Sequence, residues 1–155
     1  MRLALYQPDI PQNTGTILRM AACLGVPVDI IGPAGFDFSG RAMRRAGLDY
    51  LDSVELHRHV SFESFETWRR KEGLRTVLAT TMASRAYTKF HYRNDDIIMV
   101  GRESAGVPEI VRDVADELVL IPVREGLRSL NVAVAAAMIV GEALRQTGGL
   151  ANKFA

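Results

Sequence analysis

Polar residues able to do chemistry gather in three stretches rich in Gly, Pro and Asn: Gln7–Gly15, Gly101–Pro108 and Ile121–Asn131. Arg19 follows the first of them. It is the only charged residue between Asp9 and Asp29, one turn into a helical pattern that starts after a Gly-bearing loop. A guanidinium there can reach a phosphate or a ribose hydroxyl, or simply face solvent. Asn13 suits a helix N-cap, which needs no further function. Glu103 sits in a Gly-flanked turn after an apolar run, where it can pair with Arg102 or a neighbour, or serve as a site carboxylate. Asn131 stands just ahead of the last apolar stretch, as a cap auxiliary or as a site residue.

Several chemistries are not supported. Gly101 and Gly106 give only G-x-x-x-x-G, with Val107 and Pro108 where a P-loop needs Lys and Ser or Thr. No G-x-G-x-x-G follows the first apolar run, so an ordinary dinucleotide site is not indicated. His57, His59 and His91 lack helical metal-ligand spacing and read as surface histidines. Cys23 is the single cysteine, which excludes an internal disulfide framework and a cysteine-rich zinc site. No metal is expected.

Short β-rich runs alternate with helix-length patterns, and each of the three stretches follows a strand candidate. The strands are expected at Arg2–Tyr6, Val28–Ile31, Ser53–Leu56, Thr76–Thr80, Asp96–Val100 and Glu117–Pro122. The helices are expected at Thr14–Leu24, Gly40–Ala46, Phe62–Lys71, Pro108–Val114 and Ser129–Gln146. This alternation predicts an α/β fold with a mostly parallel sheet covered on both faces. Ligands bind such sheets outside the carboxyl ends of the strands, so all three stretches fall on the side where a site is expected. In the first helix Ile17, Ala21 and Leu24 make an apolar stripe, Arg19 lies about 200° round from Ile17, and Gly25 is a natural stop. Ser129 suits an N-cap for the last helix. Val132–Val140 is apolar all round, as in a helix buried on every side, and the face turned from the sheet would need a partner such as a second subunit.

At 155 residues the chain is expected to be one domain, with the tail Gly148–Ala155 frayed. Hydrophobic residues at 48% against 24% charged ones predict a folded core rather than disorder. Met1–Tyr6 reads directly as a strand rather than a leader, and Val132–Val140 is too short to span a bilayer, so a cytosolic location is expected. The net charge of +1 does not announce a nucleic-acid binder. The cations are nonetheless clustered, at Arg41, Arg44 and Arg45, at Arg69, Arg70 and Lys71, at Arg85, Lys89 and Arg93, and at Arg124 and Arg128. Such clusters either steer a polyanion or form solvated faces.

Taken together, the three stretches carry a resemblance that no single residue carries. The first reads Pro11-x-Asn13-x-Gly15-x-Ile17-x-Arg19. The second reads Gly101-Arg102-Glu103-Ser104-Ala105-Gly106-Val107-Pro108-Glu109. The third has Ile121-Pro122 and then Arg128-Ser129-Leu130-Asn131-Val132-Ala133. In this order they resemble the three motifs of the SPOUT-class RNA methyltransferases, in the TrmH-type branch that methylates ribose 2′-oxygens. The segment RRAGLDY, Arg44–Tyr50, is similar to that of the small single-domain members acting on the tRNA wobble nucleotide. The similarity covers nearly the whole chain.

The resemblance implies a parallel sheet with a C-terminal trefoil knot and a homodimer formed through the knot region and C-terminal helix. It implies S-adenosylmethionine as methyl donor, S-adenosylhomocysteine as product, and tRNA as partner, with cytidine or 5-carboxymethylaminomethyluridine at position 34 as target. Carried over position by position, cofactor contacts fall on Ala79, Gly101, Ile121 and Ser129, with Leu130 and Asn131 adjacent. Arg19 matches the arginine that engages the ribose 2′-hydroxyl, and Asn13, Glu103 and Asn131 match the polar residues around it. Glycines at 101 and 106 would let the main chain approach the cofactor closely. Another tRNA or rRNA ribose, or an RNA-binding module without activity, are the alternatives to this expectation.

Overall fold

The computed structural model describes residues 1–38, 41 and 50–150. Apart from Arg41, the helix expected over 40–46 lies outside them, as do residues 44–49 of the RRAGLDY segment and the tail past Leu150. Six strands form one sheet: β1 (Arg2–Tyr6), β2 (Val28–Ile31), β3 (Leu56–His59), β4 (Arg75–Ala79), β5 (Asp96–Val100) and β6 (Glu117–Val119). Their order is β3-β2-β1-β5-β4-β6, and every neighbouring pair is parallel.

Parallel strands need crossover connections, which place helices on the sheet faces. Among the described residues the α-helices are α1 (Pro11–Leu24), α2 (Phe62–Lys71), α3 (Glu109–Val114) and, after the last strand, α4 (Val132–Thr147), with Arg41 also helical. Successive side chains of a strand point to opposite faces, and β1 shows this directly. Leu3 and Leu5 share a core with Ile17, Leu18 and Ala21 of α1 and Ala136, Ile139 and Val140 of α4. Ala4 and Tyr6 share the opposite core with Phe65 of α2 and Val111 of α3. Buried on both faces, β1, β2 and β5 are continuous apolar runs in which the only buried acids, Asp29 and Asp96, are matched by arginine.

Several expected boundaries shift, each for a physical reason. Helix α1 starts at Pro11, three residues before Thr14, because proline's fixed φ and missing N–H suit the first helical position. Its N-cap is Ile10, and Asn13 therefore lies inside the first turn instead of capping it. Gly25 ends the helix in the left-handed conformation at φ 58°, as expected. Asn131, not Ser129, caps α4: its Oδ1 accepts from the Ala133 N–H at 2.9 Å and the Val134 N–H at 3.4 Å. Ser53 belongs to a 3-10 turn, so β3 begins at Leu56. Strand β6 stops at Val119, short of Pro122.

Helix α4 is not buried on every side. Ala133, Ala136, Ile139, Val140, Ala143 and Leu144 face the sheet, while Val134 and Met138 are 49% and 37% exposed. A helix lying on one face of a sheet buries one stripe, and the residues at Val134, Ala137, Met138 and Gly141 form the other. His59 departs from the surface-histidine reading: its side chain is largely buried and its Nε2 lies 2.8 Å from Asp29 Oδ1. Asp29 is also held by Arg2 Nε at 2.8 Å. Arg69 is likewise no solvated cation, since it is buried and donates to Glu66 and Asp116.

Candidate active site

Because all six strands run the same way, their carboxyl ends share one edge of the sheet. Four adjacent strands, β1, β5, β4 and the edge strand β6, lie side by side there. The segments that leave them enclose a cavity of about 660 Å³. This lies within the range of about 300–1,000 Å³ typical of small-molecule and cofactor sites. Ile10 and Asn13 come from the segment after β1, and Ala79 to Met82 from the end of β4. Gly101, Arg102, Glu103, Gly106 and Val107 come from the loop after β5, and Ile121, Val123 and Ser129 to Val132 from the loop after β6. Arg112 of α3 and Ala135 and Ile139 of α4 complete the wall.

The loop after β5 is closed by its own backbone. The Arg102 N–H donates to the Gly106 carbonyl at 3.0 Å, and the Gly106 N–H donates back to the Arg102 carbonyl at 2.9 Å. Gly106 takes φ 64°, in the region that favours glycine. A Cβ on Gly101 would lie 2.7 Å from the Gly106 carbonyl carbon. Gly101 is thus required by the approach of Gly106 itself, and the tight loop leaves backbone groups along the cavity.

Asn131 joins two segments of the wall. While its oxygen caps α4, its Nδ2 donates to Asn13 Oδ1 at 2.9 Å. The first turn of α1 is thereby tied to the start of α4. Glu103 is turned toward the segment before α1. Its N–H donates to Asp9 Oδ1 at 3.1 Å, and the Asp9 N–H donates to Glu103 Oε2 at 3.1 Å. The Ser104 hydroxyl also donates to Asp9 Oδ2. Hydrogen bonding to Glu103, reinforced by Ser104 and by the charge of Arg102, pulls the Asp9 carboxyl down to about 2. Burial, with Asp9 beside it, pushes Glu103 up. Of the two carboxyls, Asp9 therefore carries the charge and Glu103 is the one that holds a proton longer. Arg102 spans the same junction, with Nη1 donating to Gln7 Oε1 at 3.4 Å and Nε 3.7 Å from Asp9 Oδ2.

Every residue singled out as a cofactor contact lines this cavity: Ala79, Gly101, Ile121, Ser129, Leu130 and Asn131. Asn13 and Glu103 line it too. Arg19 does not. It lies six residues beyond Asn13, about 9 Å further along α1 and 240° round it. Its side chain is exposed, with the guanidinium carbon 4.9 Å from the Tyr50 ring centroid. Sequence reasoning missed Asp9 and Arg112. Asp9 had one available signal, a carboxylate between two prolines in a loop at a strand's carboxyl end. Its partner, 94 residues away, has no local trace. Arg112 stands at an ordinary helical position and left no signal.

A parallel sheet with a cavity of cofactor size at the carboxyl ends, walled by a tight glycine loop and by the start of the last helix, is the arrangement of an α/β protein whose ligand site lies at that edge. The chain belongs to the SpoU rRNA methylase family, which it matches over residues 1–141. A protein of Beijerinckia indica named tRNA (cytidine(34)-2′-O)-methyltransferase is 64% identical over 150 residues, spanning 97% of this chain and 94% of its own length. A solved structure described as giving structural insights into the 2-OH methylation of C/U34 on tRNA superposes with a TM-score of 0.88 at 39% identity, covering 94% of both chains. The AdoMet-bound rRNA methyltransferase of Sinorhizobium meliloti superposes with a TM-score of 0.84 at 29% identity, over 93% of this chain and 55% of that one.

Proposed function

We propose that this chain transfers the methyl group of S-adenosylmethionine to the ribose 2′-oxygen of the wobble nucleotide of tRNA, cytidine or 5-carboxymethylaminomethyluridine at position 34. The observation that carries the reading is one cavity, walled by all three motif segments at the carboxyl ends of β1, β5 and β6. Similarity at 64% identity to a protein named for this reaction supports the target. The donor set suits the cofactor. Arg102, Arg112 and Glu103 can meet its carboxylate and its cationic groups, and Val100, Ile121, Leu130 and Val132 offer apolar walls.

S-Adenosylmethionine supplies an activated methyl: the 2′-oxygen attacks the methyl carbon in line, the carbon–sulfur bond breaks, and its electron pair stays on sulfur. The protein positions the two reactants and manages the proton of a poorly acidic hydroxyl. Arg19 is no base for that proton, because a guanidinium is a donor with no lone pair free to accept one. Because it stands outside its own cavity wall, its role is exercised across the proposed dimer, on a ribose held at the second copy's cavity: to neutralise negative charge growing on the 2′-oxygen and to hold a neighbouring phosphate. Glu103 is the carboxylate among the cavity-lining residues, and its raised pKa fits it to take the proton. Asn13 and Asn131 fix the wall between cofactor and ribose.

The same reading includes a C-terminal trefoil knot and a homodimer. The stripe Val134, Ala137, Met138 and Gly141 on α4 is the face proposed for the second copy, and Gly141 has open space where a Cβ would stand. Arg19 lies on the exposed side of α1, which covers the same face of the sheet as α4. The same reading also includes a cytoplasmic location, where tRNA is found.

Labelled methyl should pass from S-adenosylmethionine to total tRNA and map to a 2′-O-methylated nucleoside at position 34. Label on a base, or none, overturns the reading; label on another ribose keeps the chemistry and moves the target. Arg19→Ala should lower transfer by about 100-fold, as loss of a donor to a developing oxyanion does. Cofactor affinity in that variant should stay within about 2-fold, since Arg19 is not part of the cavity wall.

A further inference from the structure

We propose that Asp9 is a positioning residue for this reaction: it latches the segment before α1 to the loop after β5, and so sets Glu103 against the first turn of α1. The inference rests on the function proposed above. Asp9 is gripped from several sides. Its side-chain oxygens accept from the Glu103 N–H and the Ser104 hydroxyl, and its own N–H donates to the Glu103 side chain. Behind it the backbone of Gly35 is so close that a Cβ there would stand 2.7 Å from the Asp9 Cβ. The Gly35 N–H donates to the Pro8 carbonyl at 2.8 Å, which holds the same segment from that side. The Asp9 side chain is only 15% exposed.

Neither loop needs Asp9 for its own shape. The loop after β5 is closed by the paired bonds between Arg102 and Gly106. Helix α1 begins two residues after Asp9, at Pro11, whose ring sets its own φ. What Asp9 fixes is the placement of one against the other. The loop after β5 provides cofactor wall, whereas the first turn of α1 carries Asn13, which lines the same cavity. A small error between two reacting halves of a site lowers turnover steeply while each half still binds. The charge distribution favours the latch: the Asp9 carboxylate is met by the Glu103 N–H and the Ser104 hydroxyl, with Arg102 Nε 3.7 Å away, and these groups hold its pKa down.

Three variants test this, with kcat and cofactor affinity measured separately. Asp9→Ala should lower kcat by about 30- to 100-fold, with the S-adenosylmethionine Kd by calorimetry within about 2-fold of wild type. Asp9→Asn keeps an oxygen for the Glu103 N–H and should lose less, and Ser104→Ala should lose least. If Asp9→Ala does not fold, the near-isosteric Asp9→Asn is read against Ser104→Ala in its place. An unchanged kcat, or a Kd that worsens by the same factor as kcat, overturns the latch. Hydrogen exchange gives a readout independent of activity: removing the Asp9 side chain should speed exchange in residues 7–13 and 101–106 together. If only one segment responds, or neither, the latch is wrong. A wild-type protein that methylates no ribose sinks the functional reading alone, and the exchange result still judges the latch.

Discussion

A methyl group added at Gly101 would press on the Gly106 carbonyl carbon at 2.7 Å. Backbone cannot give way there without opening the bonds that close the loop, so Gly101→Ala should raise the S-adenosylmethionine Kd by 10-fold or more, roughly the loss of one good hydrogen bond. Calorimetric titration checks this, and an unchanged Kd would mean that the loop can open without harm to the wall. Single residues were also where the sequence was most and least informative. Gly, Asn and Glu in the three motif segments line one cavity in the folded chain, because each segment leaves a strand at the same edge. Arg19 shows the opposite case. Its helical position could be counted, but which way that face turns depends on how α1 packs against α4. The pairing of Asp9 with Glu103 was hidden for a related reason, since contacts between loops far apart in sequence leave no periodicity.

The helices depend on their ends, and α4 is held at its start by Asn131. Its oxygen satisfies the first amide groups of the helix while its amino group reaches Asn13. Asn131→Ala should therefore cost about 1 kcal/mol in chemical denaturation, the usual cost of losing an N-cap. Ser129→Ala should stay within about 0.5 kcal/mol, as an exposed substitution away from a cap does. Equal losses at the two positions would contradict the capping geometry. Strands β1, β2 and β5 were legible because burial on both faces makes them continuous apolar runs. Strand β3 was not: LHRH is an edge strand with mixed burial, and its histidines meet Asp29, Glu55 and the aromatic ring of Trp68. The choice between Ser129 and Asn131 as cap was equally open in composition, because both types can accept from a helix amide and only the path of the loop decides.

At the scale of the whole molecule, the sheet covers one side of α4 and leaves Val134 and Met138 exposed on the other. The proposed dimer uses that stripe. Replacing both residues by Lys should convert the dimer to a monomer in light scattering at micromolar concentration, because a buried unpaired ammonium is strongly disfavoured. A dimer that persists would place the interface elsewhere.

The position of β1 in the sheet also governs the order in which the fold can assemble. Strand β1 precedes the other five in the chain yet is a central one, flanked by β2 on one side and by β5 on the other. Pairing with β2 is available early, but Arg2 meets Ile97, some 95 residues later. At ribosomal rates of about 5–20 residues per second, the second edge of β1 waits on the order of 5–20 s for its partner. During that interval a short apolar strand stands with its backbone groups unpaired, a template for wrong pairings as well as the right one. Biogenesis of this protein is thus most exposed to aggregation before its second half has left the ribosome, and the burden on folding assistance falls on the nascent chain rather than on the finished one.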